Sequence, residues 1–203
     1  MSIQEIVDQG RTKPTLRGRF SRMMDKISGN GAELLGSLKG QIAIRKMMEA
    51  DEDETKNMIR NVLLEFGGIS IDSYYFDDSL EYLYETFNTK GARVLVAVKN
   101  GEVIGSVAVR QLTCEGGNPI DGVCELNQFY VKSEHRGEGL GCRLLEKVLS
   151  EARQLGYHSC HVSTNVVFRG LDAILRHCGF EVSDLKVKKC GEQHSGNQLL
   201  KTL

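Results

Sequence analysis

The chain has 203 residues, of which 40% are hydrophobic, and a formal net charge of −1 at pH 7. This length supplies one sizeable hydrophobic core, which predicts a single large globular domain. The near-zero net charge argues against a basic nucleic-acid-binding surface spread over the molecule, so we expect no nucleic-acid partner.

The six cysteines form no Cys-x-x-Cys pair, and the N-terminus lacks the continuous apolar run of a signal peptide. Reduced thiols and a cytoplasmic location are the simplest interpretation. No window reaches the eighteen apolar residues of a membrane-spanning helix, so we expect no membrane span. The histidines and cysteines at 158–161 and 177–178 lack the paired spacing of a zinc site, and we predict no metal.

The first 38 residues differ from the rest of the chain. Apolar residues fall on one helical face and basic residues on the other: Leu16, Phe20, Met23, Met24 and Ile27 against Arg17, Arg19, Arg22 and Lys26. This pattern predicts a short basic amphipathic helix, which either packs on its own domain or lies on an anionic membrane or a partner. Residues 28–31 then predict a flexible joint. We therefore divide the chain into an N-terminal extension, 1–38, and a main domain, 39–203.

The main domain begins with a strand predicted over residues 41–45. Asp51 and Glu54 have the spacing of a capping box, which predicts the start of a helix that ends at the glycines 67–68. A second helix is predicted to begin at Asp78. A strand followed by two helices thus opens the domain.

A β-hairpin follows these helices. Two β-branched runs, 94–98 and 103–109, flank Asn100-Gly101, which is the dipeptide typical of a type I′ turn. The remaining patterns predict a strand at 123–131, a helix at 140–155, a strand at 159–164, a helix ending at Gly179, and strands at 180–187 and 198–202. The element order β, α, α, β, β, β, α, β, α, β, β predicts an α/β (α+β) fold with a mixed sheet.

The most informative motif is the turn Arg-Gly-Glu-Gly-Leu-Gly at residues 136–141. Alternating glycines let consecutive backbone N–H groups point at one anion where a helix begins. The spacing misses the G-x-G-x-x-G of dinucleotide-binding turns, and no Lys-Ser/Thr pair follows as in a P-loop. The turn therefore predicts a site for another phosphate-bearing ligand, and with it an enzyme.

With the strand 124–131 and the pattern Arg136-x-x-Gly139-x-Gly141, residues 40–203 resemble the GNAT superfamily of N-acetyltransferases. The resemblance implies a mixed, mostly antiparallel central sheet flanked by helices. It also implies acetyl-CoA as the co-substrate, with its pyrophosphate over the backbone of residues 136–142. The cofactor-binding residues implied there are Arg136, Gly137, Glu138, Gly139, Gly141 and Cys142. The pantetheine arm would lie along the backbone of Phe129, Tyr130 and Val131.

The resemblance further implies direct acetyl transfer to a primary amine of a small molecule or a peptide. A backbone N–H of the same strand would stabilise the oxyanion of the tetrahedral intermediate. Glu125 takes the place of the general base, a role typically worth about 10² to 10⁴ in rate; an acceptor-binding or structural role for this residue stays open. Tyr74 and Tyr75, between the first two helices, are the implied substrate-binding residues, although they would equally suit the hydrophobic edge of the domain.

The last helix departs from the family pattern. Counting back from Gly179-Phe180 places Leu175 where a tyrosine would protonate the leaving thiolate, and Phe168 where an asparagine would hold the pantetheine. His177, Cys178 or a water are alternative acids, or no acid is needed. A non-catalytic acyl-CoA-binding regulatory module therefore stays open as the alternative function, and so does the choice between a monomer and a homodimer.

Overall fold

The computed structural model describes residues 40–66, 78–114, 116–164, 170–183, 187 and 197–203. Residues from Ile42 onward belong to one compact unit. The predicted N-terminal extension, 1–38, lies outside the described residues. So do Tyr74 and Tyr75, the predicted acceptor-binding residues, and Phe168.

The described residues contain seven strands and five α-helices. The strands are β1 Ile42–Lys46, β2 Arg93–Lys99, β3 Glu102–Thr113, β4 Pro119–Val131, β5 Ser159–Ser163, β6 Glu181–Val182 and β7 Gln198–Thr202. The helices are α1 Glu52–Glu65, α2 Asp78–Glu81, α3 Leu83–Phe87, α4 Leu140–Gln154 and α5 Leu171–His177. The predicted order of elements agrees with this series, with the second predicted helix divided into α2 and α3.

The strands form one sheet in the order β1-β2-β3-β4-β5-β7-β6. Every neighbouring pair is antiparallel except β4 and β5, which are parallel. The helix α4 provides the crossover that a parallel pair requires. The mixed, mostly antiparallel sheet predicted from the sequence is confirmed.

The β2–β3 hairpin turns at Asn100 and Gly101, with φ of 53° and 87°. Two consecutive left-handed residues are the requirement of a type I′ turn, whose twist matches that of the flanking strands. The sequence prediction of this turn is therefore confirmed in its backbone geometry.

The start of α1 differs from the predicted capping box. Asp51 precedes the helix, but its carboxylate accepts hydrogen bonds from Arg45, at 2.6 and 2.9 Å, and from the backbone N–H of Met48, at 2.7 Å. Glu54 Oε1 instead accepts the backbone N–H of Val103 at 2.9 Å. Both carboxylates thus connect α1 to the sheet, because strand donors and a guanidinium compete with the helix for them.

Each face of the sheet carries its own hydrophobic core. Leu144 and Val148 of α4 belong to one core, and Ile59 of α1 and Phe87 of α3 belong to the other. Along β3 the residues alternate between the two: Val107 and Val109 lie on the α4 side, and Ala108 lies on the α1 side. This alternation of period two assigns each polar strand residue to a face.

Candidate active site

The parallel strands β4 and β5 are paired over only three residues. Their Cα partners run from Val123 and Ser159 to Glu125 and His161. Both strands continue beyond that point, but β4 keeps its pairing only with β3, and β5 pairs with β7. Among the described residues, no strand therefore pairs with the β5-facing edge of β4 after Glu125, and we call this the open edge. An open strand edge is suited to an extended ligand that adds hydrogen bonds like another strand.

Phe129, Tyr130 and Val131 lie on the part of β4 beyond this point of separation. All three side chains are half-buried. They are the residues predicted to place their backbone beside a pantetheine arm, and the structure puts them along the open edge.

A β-bulge bends β4 within the same segment. The Cα partners step from Asn127 and Ala108 to Tyr130 and Ser106, so β4 has one residue more than β3. Gln128 takes a left-handed φ of 49°, and the hydroxyl of Ser106 donates to its carbonyl at 2.8 Å. A bulge bends the strand that carries it and increases its twist. The bulge is thus a local reason for β4 to diverge from β5, and no local sequence pattern predicts it.

Glu125 points to the α1 side of the sheet. Its neighbours Cys124 and Leu126 both belong to the core on the α4 side. Because successive strand residues face opposite sides, Glu125 faces the other way. Arg110, its Cα partner on β3, lies on the same side and places its guanidinium over the Phe87 ring.

The carboxylate of Glu125 is almost completely buried, since the residue is only 3% exposed. The Nε of Arg110 lies 3.6 Å from its Oε2, and Asn127 Nδ2 donates to the same oxygen at 3.3 Å. His161, which is fully buried, is its Cα partner on β5. A buried carboxylate requires such compensation by charge and hydrogen bonds. Glu125 is thus a buried carboxylate held in place where β4 and β5 separate.

No sequence motif predicts a role for Arg110. The signal lies in the β3–β4 register, which places Arg110 directly opposite Glu125. Counting back from the connection between β3 and β4 does not give this pair, because between the partners Thr113–Pro119 and Gln111–Cys124 β4 has three residues more than β3.

The glycine turn follows β4 and a short 3-10 turn, Ser133–His135. Gly137 and Gly139 have φ of 80° and 78°, and a Cβ added at either would meet nothing within 4 Å. The first helical hydrogen bond runs from the N–H of Arg143 to the carbonyl of Gly139, at 3.1 Å. Within the described ranges, the backbone N–H groups of residues 137–142 donate to no acceptor. These are the unpaired donors at the positive end of α4, and a pyrophosphate fits them.

Gly141 connects the turn to the open edge of β4. A Cβ at this position would lie 3.4 Å from Cζ of Phe129, which is at the short end of ordinary contact. Glycine therefore lets the Phe129 ring pack against the first turn of α4. Cys142, in the same helical turn, is half-buried, and Glu138 is exposed.

Arg136 is held by three partners. Its Nε donates to the carbonyl of Val131 at 2.8 Å, its Nη1 lies 2.7 Å from Glu65 Oε2, and its guanidinium lies over the Phe66 ring at 5.4 Å. These contacts join the turn to the end of β4 and to the end of α1. The predicted catalytic and cofactor-binding residues thus lie along one continuous stretch, 125–142, that runs from the sheet to α4.

The last helix offers no acid at the position where the resemblance would place a tyrosine. Leu175 is fully buried in the core on the α4 side. Cys178, at the end of the helix, lines an open cavity of about 460 Å³ together with His177 and Cys142. Burial, together with a hydrogen bond to Cys142, raises the pKa of the Cys178 thiol to about 11. These groups pack with α4, whereas Glu125 faces α1.

Comparisons with known proteins agree with this architecture. Residues 57–180 match the model of the acetyltransferase (GNAT) family. The chain is 28% identical over 162 residues to the uncharacterized N-acetyltransferase YjgM of Escherichia coli K12, a match that covers 79% of this chain and 94% of that protein.

Two solved structures show the same fold. A GNAT-family acetyltransferase from Staphylococcus aureus Mu50 is similar with a TM-score of 0.67 and 18% identity, over 80% of this chain and 99% of its own. The paia N-acetyltransferase of Thermoplasma acidophilum, solved in complex with coenzyme A, is similar with a TM-score of 0.61 and 18% identity, over 80% of this chain and 99% of its own.

Proposed function

The chain belongs to the acetyltransferase (GNAT) family and is an acyltransferase, and on that premise we propose that it transfers an acetyl group from acetyl-CoA directly to a primary amine of a small molecule or a peptide. One observation carries the proposal: a buried carboxylate, Glu125, lies at the last paired residue of β4 and β5, beside the open edge of β4. This arrangement brings a proton acceptor next to a backbone suited to an extended thioester.

We propose that the backbone of residues 136–142 holds the pyrophosphate and that the edge at Phe129, Tyr130 and Val131 holds the pantetheine arm. The bound acetyl-CoA supplies an acetyl thioester. Each anionic contact at an exposed helix N-terminus contributes about 0.3 to 1 kcal/mol, and up to about 2 kcal/mol when partly buried. Several converging N–H groups are therefore enough to anchor a diphosphate. Arg136 maintains the shape of the turn through its contacts with Val131 and Glu65.

We propose that Glu125 accepts the proton of the attacking amine, directly or through a water. Asn127 and Arg110 hold the carboxylate in place on the α1 side of the sheet. Leu175 has no proton to donate, so the leaving thiolate departs without an acid at that position. A thiol pKa near 8.5 makes such a thiolate an adequate leaving group.

The cytoplasm is the compartment that we propose. All five cysteines among the described residues are free thiols, which suits a reducing environment.

None of the described helices is long and apolar enough to cross a membrane. Among the described side chains, no group of three or more His, Cys, Asp or Glu residues is arranged to hold a metal ion. Tyr74 and Tyr75 remain our proposed acceptor contacts, because the resemblance to the family implies an acceptor site in the part of the sequence between α1 and α2.

Turnover assays test this function. The purified protein is incubated with acetyl-CoA and a panel of amino acids, polyamines, other small amines and peptides, and the release of free coenzyme A thiol is followed. We expect release with at least one class of amine. Absence of release with every acceptor, under conditions where coenzyme A binds, would contradict amine transfer.

The variant Glu125→Gln tests the base. It keeps the size of the side chain and removes the proton acceptor, so kcat should fall by about 10² to 10⁴. Binding of coenzyme A should stay unchanged. The control Glu181→Gln removes an exposed carboxylate on β6 and should keep the wild-type rate. Full activity of Glu125→Gln would contradict the role of general base and would indicate that Glu125 binds the acceptor or stabilises the structure.

A further inference from the structure

Among the described residues, the Arg110 guanidinium lies beside Glu125 but donates to no acceptor. Its Nε lies 3.6 Å from Glu125 Oε2, which is close enough for an ion pair but too long for a hydrogen bond. Within the described ranges, its guanidinium donates no hydrogen bond. The Arg110 side chain is 36% exposed, whereas that of Glu125 is 5% exposed. Solvent and ligands therefore reach Arg110 before they reach the carboxylate.

Two other arginines of this protein, Arg45 and Arg136, have structural roles and donate hydrogen bonds to protein acceptors. Arg45 donates two hydrogen bonds to Asp51, at 2.6 and 2.9 Å, as a bidentate pair. Arg136 donates to the Val131 carbonyl at 2.8 Å. A guanidinium carries five N–H donors in a planar fork whose geometry matches a carboxylate. In Arg110 this fork lies over the Phe87 ring, at 5.6 Å, and it donates to no acceptor in the part of the chain that the structure describes.

We propose that Arg110 binds a carboxylate of the acceptor, so that the preferred substrate is an amino acid whose amine and carboxylate are close together. The inference rests on the proposed acetylation of an amine at Glu125. In an α-amino acid, two bonds of about 1.5 Å each separate the amine nitrogen from the carboxylate carbon, a span of about 2.5 Å. That span is comparable to the 3.6 Å between the two side chains. One acceptor can therefore present its amine to Glu125 and its carboxylate to Arg110.

The same charge disfavours other amines. A diamine of similar length would bring its second ammonium close to the guanidinium, and like charges at close range are repelled. An amine with an uncharged group at that place would lose the charge-assisted, bidentate contact. Arg110 thus selects its acceptor both by attraction of a carboxylate and by repulsion of a second cation.

The test compares each amino acid that is turned over with its own carboxamide, which keeps the amine and side chain and removes the negative charge. Wild-type kcat/KM should favour the amino acid by about ten- to a hundredfold, the range for hydrogen bonds to charged groups. Arg110→Gln should remove this preference, mainly by raising KM for the amino acid; any loss of kcat from the missing counter-ion of Glu125 should be the same for the amino acid and its carboxamide. Arg110→Lys should keep part of the preference, since it retains the charge without the fork. Arg176→Gln, an exposed arginine on α5, should behave as wild type.

Three outcomes would count against the inference. If Arg110→Gln retains the preference for the carboxylate and loses kcat equally for both acceptors, with coenzyme A binding and circular dichroism unchanged, Arg110 is only the counter-ion of Glu125. Wild-type turnover of amines without a preference for the carboxylate would overturn the inference and leave the proposed acetylation intact. Absence of turnover with any amine would overturn the proposed function and the inference together.

Discussion

Replacement of Gly139 by alanine tests whether the glycine turn holds an anion. Gly139 has φ of 78° and ψ of 3°, and a Cβ added there meets nothing within 4 Å. The substitution therefore causes no clash inside the protein. It adds the strain of a left-handed L-residue, about 1 to 2 kcal/mol. The chain must either retain this conformation at the cost of stability or relax and redirect the N–H groups of the turn.

Gly156 provides a matched control. Its φ is 94°, and an added Cβ there also meets nothing within 4 Å. It follows the other end of α4, about 22 Å away at 1.5 Å per residue. Both alanine variants should lower the free energy of unfolding in urea by about 1 to 2 kcal/mol if the conformation is retained. Only Gly139→Ala should weaken coenzyme A binding. The affinity should fall by about five- to thirtyfold if the protein must adopt the strained conformation at residue 139 to bind coenzyme A.

Isothermal titration with coenzyme A at a fixed salt concentration measures the difference between the two variants. If Gly139→Ala binds coenzyme A as tightly as the wild-type protein, the anion does not lie on this turn. If both variants lose affinity equally, the loss reflects general destabilisation, and the local argument is refuted as well.

Two further predictions follow from titratable groups. Burial raises the pKa of Asp51, but hydrogen bonds from Arg45 and the Met48 N–H outweigh it and hold the pKa below its ordinary value. A depressed carboxyl pKa stabilises the fold above the ordinary value and loses that effect as the pH falls through the folded-state value. Asp51→Asn should therefore lower the free energy of unfolding at pH 7 by about 1.5 to 3 kcal/mol. In urea titrations, the difference in free energy of unfolding between the wild-type protein and Asp51→Asn should fade below pH 3.8. A difference that stays constant with pH would contradict the lowered pKa of Asp51. With a pKa of about 11, Cys178 should react with iodoacetamide at pH 8 roughly a hundredfold more slowly than a thiol of pKa 9. Peptide mass spectrometry should show this rate rising with pH and rising further in Cys142→Ala, and a flat profile would contradict it.

Local sequence patterns predicted much of the framework. The Asn100-Gly101 turn, the helix at 140–155 and the order of elements all depend on residues that are near one another in the chain. The glycine turn belongs to the same class, because positive φ at Gly137 and Gly139 is a local property of glycine. Such features are readable from the sequence because short-range sterics and periodicity decide them.

Other features depend on pairing between distant segments. β7, the last strand of the chain, lies between β5 and β6 in the sheet, and no local pattern specifies that position. The bulge at Gln128 follows from the match between β3 and β4, and its carbonyl is held by Ser106, a residue 22 positions earlier. The carboxylate of Asp51 goes to Arg45 rather than to its own helix for the same reason.

The sequence by itself therefore determined the fold class, the family resemblance and the residues of the glycine turn, because these follow from spacing along the chain. Tertiary structure alone decided where β4 leaves β5, which face Glu125 occupies, and that Arg110 lies beside it. It also showed Leu175 as a fully buried core residue. Strand register sets the position where β4 leaves β5, the face of Glu125 and its pairing with Arg110, and packing of α5 against the core sets the burial of Leu175. Both depend on many weak contacts between segments that are distant in the sequence.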